Sequence, residues 1–435
     1  MDLYGMLTKV PGIRELLHKL ALMDDATRKL EYENLLLAQE NIDARLMRKK
    51  QRGEKIHVVF VCHRPALWES LRGVYDTLKA DPDFTVTIVA IPQKNRKKGV
   101  EYRHEEYTGE GAEAFFQGEG CVNGYDYATG QWLDLRTLKP DYVFFQQPYN
   151  VARPEIYSSG VVSKYAKICS VSYFAIITLD DTCVECTPTD FLKDLSFFFA
   201  QHEADREFVL GRMKEAGPNV ASVITTGFPR FEKIREHAKE KCDIWNDPST
   251  FKILWTPRWT TNEGNCHFFS FKERFVAYCQ EHPDTELTFR PHPQAFKEWL
   301  STGELTQEGQ DKVRQVFSQG NLHLDESMNY YPMMFSSDVL ITDRSTMFVD
   351  YLFTGKPIIY CANHGVHDEV IGGVENGMYW VNSWEELIKV LEDIKRGVDP
   401  LKETRAQIAD AYQGRSGQKA SERIRDILKA DAMKE

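Results

Sequence analysis

Four short runs set arginine, histidine and hydroxyl side chains directly after stretches that read as buried strands. Ligands of open α/β sheets bind at the carboxyl ends of strands, so these positions are where chemistry is sought first. The most informative run is SSDVLITDRSTMFVDYLFTGKPIIY, residues 336–360. Its strand ends at Asp343, and Arg344, Ser345 and Thr346 turn into a helix. Free N–H groups at a helix start, two hydroxyls and a guanidinium can cradle a phosphate. An isolated Asp-Arg-Ser-Thr is also an ordinary helix cap. In the second run Pro291 and Pro293 fix the backbone on either side of His292, after Arg290. That imidazole can donate to a phosphate oxygen or protonate a leaving group, although a strand-end histidine is more often structural. The third run, Trp255-Thr256-Pro257-Arg258-Trp259, offers a planar guanidinium fork beside a stacking surface. The fourth is Gly227-Phe228-Pro229-Arg230.

The elements that must position these runs alternate strand and helix. IHVVFVC (56–62) is apolar and β-branched, then comes a turn at His63-Arg64-Pro65 and a helix near 66–80. Further strands follow at 84–92, 141–147, 168–177, 196–201 and 222–230, with helices between them. The stretch 93–136 reads as an insertion or a long loop. A second series begins at Phe251, with strands at 251–257, 285–293, 321–326, 336–343, 356–362 and 379–383. Two Rossmann-like halves facing a cleft is the economical reading: an α/β fold with residues 55–240 as one half and 241–400 as the other. Residues 401–435 are expected to form C-terminal helices packing back on the core. Residues 1–54 instead show helical periodicity, read as two helices broken near Asp24–Asp25 with a basic end at Arg48, Lys49, Lys50 and Arg52. This appendage suits packing on the core, oligomerisation or an anionic membrane surface.

Composition removes several classes. The chain has 435 residues, 42% of them hydrophobic, enough to bury a core and exclude wholesale disorder. A net charge of −11 argues against a dedicated nucleic-acid binder. No apolar run is long enough for a membrane span and the start shows no signal peptide, so a cytoplasmic location is expected. Nine cysteines cannot all pair within one chain and read as reduced thiols. The sequence matches no dinucleotide or P-loop fingerprint, no HExxH and no GxSxG. Cys183, Cys186, Asp180 and Asp181 lack further ligands at suitable spacing, so no metal is expected. A basic cluster at Lys94, Arg96, Lys97, Lys98 and Arg103 reads first as a solvated loop and second as a contact for an anionic acceptor. His364, His367 and Asp368 follow the strand at 356–362 and divide evenly between cleft and loop roles.

Taken together, the four runs resemble the CDP-glycerol glycerophosphotransferases of the teichoic acid polymerase type, which have the GT-B fold. The resemblance rests on Arg-x-His-Pro at 290–293, on 337–345 with Phe348, Asp350 and Tyr351, and on Lys356-Pro357. Gly227 to Arg230 and Thr256-Pro257-Arg258 fit the same spacing, and the likeness covers about 195–365. It implies that Arg290, His292, Ser345 and Thr346 hold the CDP diphosphate, with Arg258, Arg344, Gly227, Arg230 and Asp350 as further donor-site candidates. His63, His292 and Asp343 are the catalytic candidates. The resemblance also implies that no cofactor or metal is needed. The family commonly carries a His-Gly pair in its N-terminal domain, and here Phe145-Gln146-Gln147-Pro148-Tyr149-Asn150 stands instead. His63 is the comparable strand-end histidine, so either it supplies the base or the acceptor chemistry differs.

The expected activity is transfer of a phospho-polyol unit from a CDP-activated donor to a hydroxyl of a cell-surface glycan or lipid-linked acceptor. The expected partners are that donor and acceptor and a second copy through residues 1–54, at the inner face of the cell membrane. The competing readings are a GT-B glycosyltransferase using a CMP- or UDP-sugar, a sugar-nucleotide 2-epimerase, and an inactive scaffold.

Overall fold

The computed structural model describes residues 13–94, 107–174, 184–261, 266–327, 329–345, 347–362, 371–413 and 418–433. Thr346, His364, His367, Asp368, Asp180, Asp181, Cys183, Arg96, Lys97, Lys98 and Arg103 lie outside the described residues.

The chain forms two compact α/β units that meet in sequence at Thr226 and Gly227, and from Ser421 onward it returns to the first unit. The first unit holds a seven-stranded sheet: β1 Ile56–Cys62, β2 Phe84–Ala90, β3 Val122–Asn123, β4 Tyr142–Phe145, β5 Lys167–Val171, β6 Phe197–Ala200 and β7 Ser222–Thr225. Its order is β7-β6-β5-β4-β1-β2-β3, and every pairing is parallel. The second unit holds β8 Phe251–Thr256, β9 Thr285–Phe289, β10 Leu322–Leu324, β11 Val339–Thr342, β12 Ile358–Cys361 and β13 Tyr379–Val381. These run β10-β9-β8-β11-β12-β13, again all parallel. Both sheets therefore have the doubly-wound order in which the chain leaves the first strand in one direction and returns on its other side. Carboxyl ends of β1 and β4, and of β8 and β11, flank the two switch points.

The strands read as continuous apolar runs because a parallel sheet is covered on both faces. In β1, residues 58–62 are buried throughout, and Val58 pairs with Val86 on one side and Tyr142 on the other. Beneath β8 and β9 the core is aromatic. Trp255, Phe268, Phe289 and Trp299 stack at centroid separations of 4.4–5.7 Å and fix the strand ends that carry the site. The helix Trp384–Lys395 starts as its sequence dictates: Ser383 Oγ accepts from Glu386 N–H, and Glu386 Oε2 accepts from Asn382 N–H.

Three expectations are corrected. Residues 13–52 form one helix, Ile13–Arg52, rather than two. No Gly or Pro interrupts it, and Thr27 Oγ1 donates back to the Met23 carbonyl at 2.8 Å, as a hydroxyl within a helix does. Leu35, Ala38, Ile42 and Leu46, at three- and four-residue spacing, bury its inner stripe in the first unit. The boundary near residue 240 moves to Thr226–Gly227, because the helix Pro229–Ile234 packs Phe231 against Phe353 of the second unit. The C-terminal segment divides. Helix Lys402–Gln413 stays with the second unit, whereas in Ala420–Ala432 Asp431 Oδ2 takes Lys167 Nζ at 2.6 Å and the Tyr142 hydroxyl at 2.7 Å. Within the stretch read as an insertion or a long loop lie β3, at the sheet edge, and a small hairpin, Tyr125–Asp126 with Gln131–Trp132.

Candidate active site

The second unit gathers most of the expected residues around its switch point. β8 and β11 are cross-linked there: Thr342 Oγ1 donates to the Thr256 carbonyl and accepts from Thr256 Oγ1, both at 2.9 Å. Asp343, the next residue of β11, is fully buried. Its Oδ2 accepts the backbone N–H of Arg258 (3.0 Å) and of His267 (2.8 Å), and Oδ1 accepts the His267 ring Nδ1–H at 3.0 Å. Asp343 thus positions the turn that carries Arg258, and with its oxygens so occupied it faces protein rather than solvent. Donation of Nδ1–H to the carboxylate leaves Nε2 as the basic nitrogen of His267.

At the end of β9, Arg290 is buried and held in one orientation. Its Nη1 pairs with Asp325, and its Nη2 donates to the Ser327 carbonyl at 2.7 Å. The guanidinium lies 5.4 Å from the Tyr330 ring centre. His292 lies open to solvent, stacked on Trp259 at 5.5 Å. Poorly hydrated surroundings beneath the ring, then the Arg258 and Arg290 charges, push its pKa down to about 4. Water still reaches the open face. His292 Nδ1 accepts the Gln294 N–H at 3.2 Å, so the neutral ring carries its proton on Nε2 and is a donor at pH 7. The Arg258 guanidinium lies 5.7 Å from the Trp259 ring, so one indole carries both groups.

A second cluster joins the fourth run to the helix after β11. Arg230 Nη2 donates to Asp350 Oδ2 at 2.6 Å and to the Tyr330 hydroxyl, which itself donates to Asp350. Arg230 and Asp350 therefore occupy each other. Gly227 has a φ of +93°, and a Cβ there would meet the Ala420 Cβ at 3.3 Å, so this position serves the backbone. Ser345 Oγ accepts the Met347 N–H at 3.2 Å and caps the helix Met347–Leu352, while its own O–H remains a donor. Arg344 is half-buried in the same turn. Lys356 is structural: its ammonium donates to the Phe335 and Ser337 carbonyls, and burial lowers its pKa.

In the first unit His63 is buried at the end of β1. Gln146 Oε1 accepts the N–H groups of His63 and Arg64 at 2.8 and 2.9 Å, and Gln147 Oε1 accepts the His63 Nε2–H at 3.0 Å. The two glutamines standing where a His-Gly pair was expected thus hold the β1 turn. Arg153 supports them from below, with Nη1 donating to the Gln147 carbonyl at 2.6 Å and its guanidinium 4.1 Å from the Phe145 ring. Sequence reasoning missed His267, Asp325, Tyr330 and Arg153. Only Asp325 carried a signal, as the residue following the short strand Leu322–Leu324.

Residues 213–429 match the family model described as CDP-Glycerol:Poly(glycerophosphate) glycerophosphotransferase. Through its C-terminal half the chain belongs to this family. No curated protein matches the sequence. Among solved structures, the wall teichoic acid polymerase TagF is 15% identical, with 94% of this chain and 98% of that one covered at a TM-score of 0.52. The UDP-GlcNAc 2-epimerase from Neisseria meningitidis bound to UDP-GlcNAc is 15% identical, covering 86% of this chain and 100% of its own, TM-score 0.57. A UDP-GlcNAc 2-epimerase from Methanocaldococcus jannaschii is 17% identical, covering 86% and 99%, TM-score 0.52. These similarities establish the fold as GT-B type, with a helical N-terminal region. No helix among the described residues is long and apolar enough to cross a membrane.

Proposed function

We propose that the protein transfers a glycerol phosphate-like unit from a CDP-activated donor to a hydroxyl of an anionic, cell-surface or lipid-linked acceptor, working peripherally at the inner face of the membrane. One observation carries the reading: Arg258, Arg290 and His292 stand at the carboxyl ends of adjacent parallel strands β8 and β9, within the residues matched to the family. In this reaction the acceptor oxygen forms a bond to the donor phosphorus that bears the polyol, and the bond from that phosphorus to the CMP oxygen breaks. Charge gathers on CMP. Arg258, the Nε2–H of His292 and the Ser345 hydroxyl are the donors proposed to neutralise it, with Arg344 beside them. Arg290, Arg230 and Asp350 hold the walls of that site through Asp325 and Tyr330. Asp343 keeps Arg258 in place. His63 is proposed as the base that takes the acceptor proton, its ring held by Gln147 Oε1 at 3.0 Å from Nε2. Every group named is a side chain of this chain, so the reading invokes no cofactor or metal.

The test is product analysis with CDP-glycerol labelled in the polyol-bearing phosphate. Release of CMP together with label in the acceptor is the expected result. Label retained in a small molecule would overturn it. The epimerase reading draws on the fold neighbours, and incubating the enzyme with UDP-GlcNAc and resolving the 2-epimers checks it directly.

A further inference from the structure

The end of the helix Ile13–Arg52 and the loop before β4 border an open pocket of about 390 Å³ within the first unit. Arg45, Arg48, Lys49, Arg52, Arg136 and Lys139 line it. Their placement is built in rather than incidental. Asp141, fully buried, takes Arg45 Nε at 3.2 Å and Lys49 Nζ at 2.5 Å, so one carboxylate orients two cations. Arg136 pairs with Asp134 at 2.6 Å and Arg52 with Glu54 at 3.6 Å. Arg48 and Lys139 make no ion pair among the described residues. Six cations against Asp141, Asp134 and Glu54 leave three positive charges over, in a chain whose net charge is −11. Two further features mark the wall. Lys139 has a φ of 50°, the one non-glycine residue with positive φ among the described residues, a conformation better suited to Gly or Asn. The Tyr165 hydroxyl, on the same pocket, is buried with no hydrogen-bond partner among the described residues. Arg45 is spent on Asp141 and on the Tyr165 and Pro140 carbonyls, so the excess positive charge sits with Arg48 and Lys139, and such an excess in a pocket suits an anion.

We propose that this pocket binds a phosphodiester group of the anionic acceptor, a choice of ligand that rests on the function proposed above. The pocket is concave, and its lining holds Pro140 and Tyr165 but no Leu, Ile, Val, Met, Phe or Trp, the rest of its apolar surface being the stems of the charged side chains. That suits phosphate oxygens better than a membrane plane, which is met by a flat face carrying apolar side chains. None of its residues belongs to the donor site.

The experiment uses the full chain and the double variant Arg48→Gln/Lys139→Asn; Asn tolerates the left-handed backbone, so the loop keeps its shape. Each protein is titrated calorimetrically with a phosphodiester-linked glycerol phosphate tetramer, with phosphatidylglycerol vesicles and with CDP. The expected result is tetramer binding by the parent, weakened at least about tenfold in the variant, with CDP binding equal in both. Equal tetramer binding by both proteins, or none by the parent, overturns the proposal. So does vesicle binding that depends on Arg48 and Lys139 without tetramer binding. Should the double variant fail to fold, Arg48→Gln alone, on the exposed helix face, carries the same comparison. Loss of CDP binding by the parent would instead count against the donor reading, which separates the two failures.

Discussion

Asp343 Oδ1 and His267 Nδ1 lie 3.0 Å apart, and the other oxygen of the same carboxylate holds the backbone N–H groups of His267 and Arg258. One buried acid therefore ties the end of β11 to the β8 turn and to the start of the helix Phe268–Glu281. Asp343→Asn keeps the shape but removes the charge and turns one acceptor into a donor facing N–H groups. Loss of about 1–3 kcal/mol of stability is expected in urea unfolding, with CDP turnover reduced because Arg258 loses its anchor. A variant as stable and active as the parent would show that Asp343 does not organise the site.

The proposed donor contacts are tested first at Arg258 and His292, at the carboxyl ends of the adjacent strands β8 and β9. Each Ala substitution is expected to lower kcat/KM for the CDP donor at least about tenfold, corresponding to roughly 1.4 kcal/mol of transition-state stabilisation. Arg290→Ala should be worse, since it leaves Asp325 buried and unpaired, so its activity loss must be read against its melting temperature. Parent-like turnover in folded Arg258→Ala and His292→Ala removes both residues from the site.

The depressed pKa of His292, about 4 against an ordinary 6.5, has a calculable consequence. The native state binds fewer protons at this ring than the unfolded chain between those values, so its contribution to stability rises with pH across that window and is absent below it. A bound diphosphate favours the imidazolium and draws the pKa back up. Below pH 6.5, CDP binding should then take up more protons in the parent than in His292→Ala, as read by calorimetry in buffers of different ionisation enthalpy. Equal uptake in both proteins would place the ring away from the phosphates.

Much of this was legible before any coordinates. Parallel strands covered on both faces must be continuously apolar, so their carboxyl ends at Thr256, Phe289 and Thr342 could be read off and the candidate residues placed after them. Pairings between those ends were not legible. His267 meets Asp343 across 76 residues and Arg230 meets Asp350 across 120, and no local pattern encodes such a distance. The same holds for Gln146 and Gln147, which as a dipeptide announce nothing and in the fold hold the His63 turn. Asp24–Asp25 misled in the opposite direction, since two acids weaken a helix far less than Gly or Pro would.

Arg230, Tyr330 and Asp350 form a closed set, and its energetics predict an asymmetry. Asp350→Ala leaves the half-buried Arg230 guanidinium without its anion and should cost about 3 kcal/mol, the low end for breaking a buried ion pair. Tyr330→Phe removes one hydroxyl yet keeps the ion pair, and should cost about 1–3 kcal/mol. Denaturant titration of both variants gives the comparison. Equal losses would mean that the hydroxyl, not the charge pair, holds the cluster.

Ser345 has one observed and one proposed contact: its oxygen accepts the Met347 N–H, and its hydrogen is proposed to meet a donor phosphate. Ser345→Ala removes both. Loss of the cap alone should cost about 1 kcal/mol and leave CDP affinity unchanged. Loss of a bond to a charged phosphate should in addition weaken CDP binding about tenfold, because hydrogen bonds to ions are worth roughly 1.5–3 kcal/mol. Ser345→Gly sharpens the comparison, since glycine is a tolerable cap costing only a few tenths of a kcal/mol and still lacks the hydroxyl. The expected pattern is a melting temperature nearly restored in Ser345→Gly with CDP affinity as low as in Ser345→Ala. Affinity that returns together with stability would make Ser345 a helix cap and nothing more.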